Sequence, residues 1–210
     1  MKHFIFVLAW LVLPAACFAQ VRPAFNLSAG YSNIEISSTA PYLHYERDGG
    51  YIDGEFSLNL GNARPAALLL GFGASASYHY NVEDYHYHDI YGNYWTVYDT
   101  TSWVGFYSFE ARIGVPLSFT ASRRDPRGFY LLPKIGAGLL ISDYGIDTRY
   151  GTEYHTGAAF DVRPSIEAGF TWGAGSVGLE LSYMWAWGDF GNLGDQAQEF
   201  RAGAYFRIRL

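Results

Sequence analysis

The chain is predicted to be all-β: an eight-stranded antiparallel up-and-down transmembrane β-barrel preceded by a cleavable signal peptide. Three observations carry that expectation. Segments of about ten to fourteen residues with strict two-residue alternation recur along the chain, as half-buried strands require. The connections between them are alternately long and short. The last stretch shows how far the two faces diverge. Phe200, Ala202, Ala204, Phe206, Ile208 and Leu210 form a wholly apolar face, while the other carries Arg201, Gly203, Tyr205, Arg207 and Arg209.

Composition fits that class. Half of the 210 residues are hydrophobic, 19% are aromatic, 16% are charged and 24 are glycine. Disorder needs low hydrophobicity and high charge, so it is excluded. Residues 1–19 read as a signal peptide: Lys2 begins it, Phe4 to Leu13 form an apolar run, and Cys17-Phe18-Ala19 matches a small-residue cleavage site before Gln20. The run is too short to span a bilayer as a helix, which takes about 20 apolar residues. An alternative places a lipid on Cys17, the only cysteine. After ordinary cleavage the barrel domain, residues 20–210, has no thiol and so no disulfide. Its net charge is then one unit more negative than the −6 of the whole chain, an unsuitable balance for binding nucleic acid.

The strands follow in order. Phe25 to Ile36 sets Phe25, Leu27, Ala29 and Tyr31 against Asn26, Ser28, Gly30 and Ser32. After the polar connection Ser37 to Gly50, Tyr51 to Leu60 alternates Ile52, Phe56, Leu58 and Leu60 with Asp53, Glu55, Ser57 and Asn59. Gly61 to Pro65 supplies turn residues. Ala67 to Tyr80 is the third strand and Ser102 to Val115 the fourth, separated by the longest connection, Asn81 to Thr101. The basic turn Ser122 to Gly128 leads to Phe129 to Ser142, the fifth. The sixth runs to Trp172 with Pro164 inside it, an objection because proline lacks a ladder donor. Val177 to Trp187 is the seventh, and Gly188 to Gln198 the last long connection.

Volume assigns the faces. An eight-stranded barrel is only wide enough for side chains to fill it. The many aromatic residues of the apolar faces exceed that space, whereas the Gly- and Ser-rich faces fit it. The large residues therefore point outward into lipid. Girdles are expected at Tyr78, Tyr80, Trp103, Tyr183, Trp185 and Trp187 near the long loops, and at Trp172 and Phe206 near the short turns. A soluble ligand carrier of the lipocalin type would reverse the faces.

With these features the chain, from Phe25 to Leu210, resembles the small outer-membrane barrels of the OmpA/OmpX type. It ends in Leu210 where that family usually ends in Phe. The resemblance implies a bacterial outer-membrane protein with its loops outside and its turns in the periplasm, often without enzymatic activity. The partners it implies are outer-membrane lipid including lipopolysaccharide, and the outer-membrane assembly machinery.

Twelve inward charges form the expected lumen network: Asp53, Glu55, Glu110, Asp161, Glu167 and Glu180 against Arg112, Lys134, Arg163, Arg201, Arg207 and Arg209. Their balance favours mutual pairing, because an unpaired buried charge is costly. Phe106, Tyr130, Met184 and Tyr205 would help to plug the lumen. A small or gated pore for small solutes is the alternative. The long connections are acidic and tyrosine-rich. Tyr85, Tyr87, Tyr91, Tyr94, Trp95 and Tyr98 are candidates for binding an extracellular protein or glycan. No cofactor is expected. His86 and His88, with His79 or Asp84, form an incomplete metal set. A lipid A-modifying enzyme is a second alternative. Its nucleophile and base could come from His79 with Ser77 or Ser102, or from His155 with Thr156 and Glu153.

Overall fold

In the computed structural model, residues 21–37, 44–60, 68–88, 94–119, 128–148, 151–173, 175–191 and 194–210 are described. They form strands β1 (Val21–Ser37), β2 (His44–Leu60), β3 (Leu68–His88), β4 (Tyr94–Gly114), β5 (Leu117–Phe119), β6 (Gly128–Thr148), β7 (Gly151–Trp172), β8 (Gly175–Gly188) and β9 (Gln196–Arg209). Sequence neighbours other than β4 and β5 pair antiparallel, β1 also pairs with β9, and β4 with β6, so the sheet closes on itself. β4 and β5 share one stave, which makes an eight-stranded barrel. The break between them falls at Val115-Pro116, where proline has no N–H to give. Pairing resumes through Val115 N, which donates to Pro133 O at 3.1 Å. Residues 1–19, expected from the sequence to be a signal peptide, lie outside the described residues.

Ladders run further than the alternation predicts. β1 and β2 stay in register from Val21↔Leu60 to Ser37↔His44, and β6 and β7 from Gly128↔Thr171 to Thr148↔Gly151. β3 and β4 continue to His88↔Tyr94, with a register shift between Glu83 and Tyr85. The segment from Asn81 to Thr101 is therefore largely a hairpin. Above the bilayer both faces of a ribbon meet water, so polarity ceases to alternate while backbone pairing persists. Pro164 keeps its place opposite Ile135 of β6, but the β7–β8 ladder skips from Val162↔Trp185 to Ser165↔Ser182. The missing donor is accommodated there as a gap.

The outward face carries a broad apolar belt: Phe72 is 70% exposed and Leu179 67%, beside exposed Phe56, Phe109, Leu139, Phe170 and Phe206. Inside, three layers succeed one another. Toward the long connections lies an apolar cap of Ile34, Ile36, Val104, Phe106, Leu140, Tyr144, Met184 and Phe190. Toward the short turns Leu69, Tyr130, Leu132 and Tyr205 pack together. Charged residues fill the middle. Glycines make room for this filling: a Cβ on Gly178 would meet the Tyr205 hydroxyl at 2.8 Å, and one on Gly73 would meet Arg112 Nε at 2.6 Å.

Candidate functional site

The lumen network is built around Arg112 of β4 and Lys134 of β6. Arg112 Nη1 and Nη2 donate to both oxygens of Asp53 at 2.6 and 2.8 Å, and its Nε donates to Glu110 Oε2 at 2.9 Å. Nη1 also reaches Glu55 Oε2 at 3.2 Å. Lys134 Nζ lies 2.9 Å from Glu55, 2.5 Å from Glu167 and 3.7 Å from Glu180. Glu167 takes further donors: Arg207 Nη2 at 2.8 Å, Asn26 Nδ2 at 3.0 Å and the Tyr130 hydroxyl at 3.3 Å. Residues from seven strands thus meet in this network, which ties staves together that never pair directly.

A second group sits between this one and the apolar cap. Arg163 Nε lies 2.7 Å from Glu110 Oε1 and its Nη2 3.6 Å from Glu199, which Arg201 Nη2 also approaches at 2.8 Å. Ser108 Oγ stands 2.6 Å from Asp161 and 2.9 Å from Glu110. One hydroxyl hydrogen serves one of these carboxylates at a time. Each of the buried ions would cost several kcal/mol if left alone, so the pairing is a condition of folding.

The network differs from the expected twelve at one end of the chain. Arg209, half-buried at the rim, donates to Thr171 Oγ1 at 2.8 Å instead of joining a carboxylate. Glu199 and His79 enter in its place, both fully buried and 3.6 Å apart. The contrast between the two faces begins at Phe200, whereas β9 starts at Gln196, so Glu199 lies outside the patterned stretch. Extending the alternation one inward position would have found it. Among the described residues seven carboxylates and five arginines or lysines are buried, in place of six against six.

Of the proposed nucleophile pairs, His79 with Ser77 and His155 with Thr156 are not formed. His79 Nε2 is 3.5 Å from Ser32 Oγ, while Ser77 Oγ accepts from Arg201 at 3.4 Å. His155 Nε2 lies 3.4 Å from Asp189, and Thr156 Oγ1 donates to Asp143 at 3.1 Å. The side chains of Ser102 and Glu153 lie outside the described residues. Among the described residues no cluster of three or more His, Cys, Asp or Glu could hold a metal ion.

Outside, the girdle residues Tyr78, Tyr80, Trp185, Trp187 and Phe206 are exposed, and Trp103, Trp172 and Tyr183 partly so. Trp172 and Phe206 lie 6.2 Å apart near the short turns, and Tyr183 and Trp185 4.7 Å apart near the loops. Just beyond the apolar belt, Asp48 accepts from the Tyr31 hydroxyl and, at 3.0 Å, from Asn33 Nδ2. Those two bonds hold its carboxyl below the ordinary range. Of the loop candidates, Tyr91 lies outside the described residues. Tyr85, Tyr87, Tyr94, Trp95, Tyr98, His86 and His88 are on the β3–β4 hairpin, their side chains outside the described residues. Its backbone pairs Tyr85 with Val97 and Tyr87 with Trp95. Above Ser102↔Ile146 and Gly49↔His79, neither edge of this hairpin pairs with another described strand.

No protein-family model and no curated protein matches the chain. Solved structures do. Neisserial surface protein A is 15% identical with a TM-score of 0.51, over 89% of this chain and 99% of that one. The fold is that of an outer-membrane β-barrel. The outer membrane protease OmpT from Escherichia coli also matches, 12% identical with a TM-score of 0.51, over 90% of this chain and 97% of that one. Ail, the attachment invasion locus protein of Yersinia pestis, in complex with the heparin analogue sucrose octasulfate, matches at 13% identity and a TM-score of 0.47, over 89% and 99%. An apolar exterior around a closed barrel is stable only in a bilayer, and the outer membrane is the bilayer such barrels occupy.

Proposed function

We propose that this barrel is a sealed membrane anchor that acts at the cell surface through its β3–β4 ribbon. The observation that carries the reading is the ribbon itself. It extends the ladder from Asn81↔Ser102 to His88↔Tyr94 beyond the barrel wall, with both edges unpaired among the described strands. An unpaired edge offers backbone donors and acceptors to an incoming extended chain. The ribbon's tyrosines add contact area at small entropic cost. Glu83, Asp84, Asp89 and Asp99 with no lysine or arginine between Asn81 and Thr101 favour a basic partner. Capture of an extracellular protein or glycan by the intact barrel, and loss of capture when residues 81–101 are removed, is the expected result. Equal capture by both forms would refute it.

The sealed lumen rests on the apolar cap above the charged layer and on Tyr130 and Tyr205 below it. Planar-bilayer recording of the purified barrel should give no large steady single-channel currents. Such currents would favour the small-pore alternative.

A further inference from the structure

On β6 and β7 the outward face turns polar at Asp143 and Thr156, register partners joined by a 3.1 Å hydrogen bond. Two positions further from the membrane are Gly145 and Tyr154, also partners, and Gly145 pairs on its other side with Trp103 of β4. With no side chain at Gly145, the indole of Trp103 lies over it; a Cβ there would stand 2.5 Å from Nε1. The indole is thereby laid along the barrel wall with one face outward. Tyr78 stacks beside it at 5.9 Å and 19°, and Tyr154 flanks it at 6.4 Å and 55°. Tyr154 is 72% exposed, although it lies beyond the point where the wall has become polar.

The plate's depth and direction restrict what it can meet. It reaches past the acyl belt, so hydrocarbon does not match its upper part. It faces sideways along the wall and not upward into solvent. An aromatic plane edged by a carboxylate and a hydroxyl suits a pyranose, whose axial C–H groups pack on the rings while its hydroxyls bond to the edge. A simple anionic headgroup finds no cation among Tyr78, Tyr80, Trp103, Asp143, Tyr154 and Thr156. We propose that Trp103, Tyr78 and Tyr154, with Asp143 and Thr156 at their edge, form a lateral site for the saccharide headgroup of an outer-leaflet glycolipid. The proposal rests on the outer-membrane placement reached above.

Full-length barrel in phosphatidylethanolamine nanodiscs is titrated with deep-rough lipopolysaccharide, with phosphatidylglycerol in a second arm and the free core oligosaccharide in a third. Bound lipid is counted by native mass spectrometry. Trp103→Ala and Tyr154→Ala should each weaken lipopolysaccharide binding by about tenfold, the scale of one lost aromatic stack, with the phosphatidylglycerol arm unchanged. Gly145→Val, which drives the indole off the wall while leaving Trp103 in place, should do the same. Tyr154 is exposed enough for its variant to fold. Equal losses in the phospholipid arm would reduce the plate to an ordinary girdle and overturn the proposal. So would no loss, or free oligosaccharide binding as tightly as the lipopolysaccharide. Failure of the wild-type barrel to insert at all would instead refute the outer-membrane reading.

Discussion

Replacing Arg112 by methionine tests whether the lumen is as dry as its packing implies. The guanidinium makes four contacts at 2.6 to 3.2 Å with Asp53, Glu55 and Glu110. After the change Glu55 keeps Lys134 at 2.9 Å and Glu110 keeps Arg163 at 2.7 Å. Asp53, whose described ion pair is with Arg112 alone, is left as an uncompensated buried carboxylate. Breaking a buried pair in this way costs about 3–5 kcal/mol. Adding Asp53→Leu removes the orphaned charge, so the double variant should recover at least half of the loss. Equilibrium unfolding in urea from lipid vesicles, followed by tryptophan fluorescence, measures both. A single-variant cost below about 1 kcal/mol, the value of a solvated pair, would mean that water screens the network and that the sealed-lumen argument is wrong.

Three further outcomes follow from the same geometry. Phe72→Arg, at an outward position 70% exposed to lipid, should destabilise the inserted barrel by about 2–4 kcal/mol, whereas Ser75→Ala on the inward face should change the same urea midpoint little. Gly178→Ala should cost about 1–3 kcal/mol, since the new methyl meets Gly169 Cα at 2.6 Å and the Tyr205 hydroxyl at 2.8 Å; an unshifted midpoint would show that the cradle is slack. Asp48 should titrate below the ordinary value of about 3.9 when followed by NMR, and Tyr31→Phe should move it up. Because its folded carboxyl is depressed, its contribution is present above the ordinary range and fades as the pH falls through the folded value.

How much of the site could be read from the chain depends on which interactions are local. Outward Phe206 and inward Arg207 are told apart by parity, since successive side chains in a strand point to opposite faces. Of the twelve charges that the same parity places inward, eleven have buried side chains. Parity also points Glu199 inward, but Gln198 beside it is polar too, so the contrast between the faces fades there, and Arg209 shows that parity does not say where the lumen ends. His79 was visible as an inward residue of β3, yet its meeting with Glu199 of β9 was not. Nothing in either segment encodes which strands face each other across the barrel.

From the order of residues alone came the closed all-β architecture, the lipid-facing sides and the charged character of the inward face, because each follows from a period of two and from the volume available inside. Tertiary structure alone decided that Arg112 grips Asp53 across 59 positions of sequence, that Phe190 joins the apolar cap, and that Trp103 lies flat over Gly145. Those contacts depend on inter-strand register and on closure of the wall, which bring together residues whose own neighbourhoods carry no trace of one another.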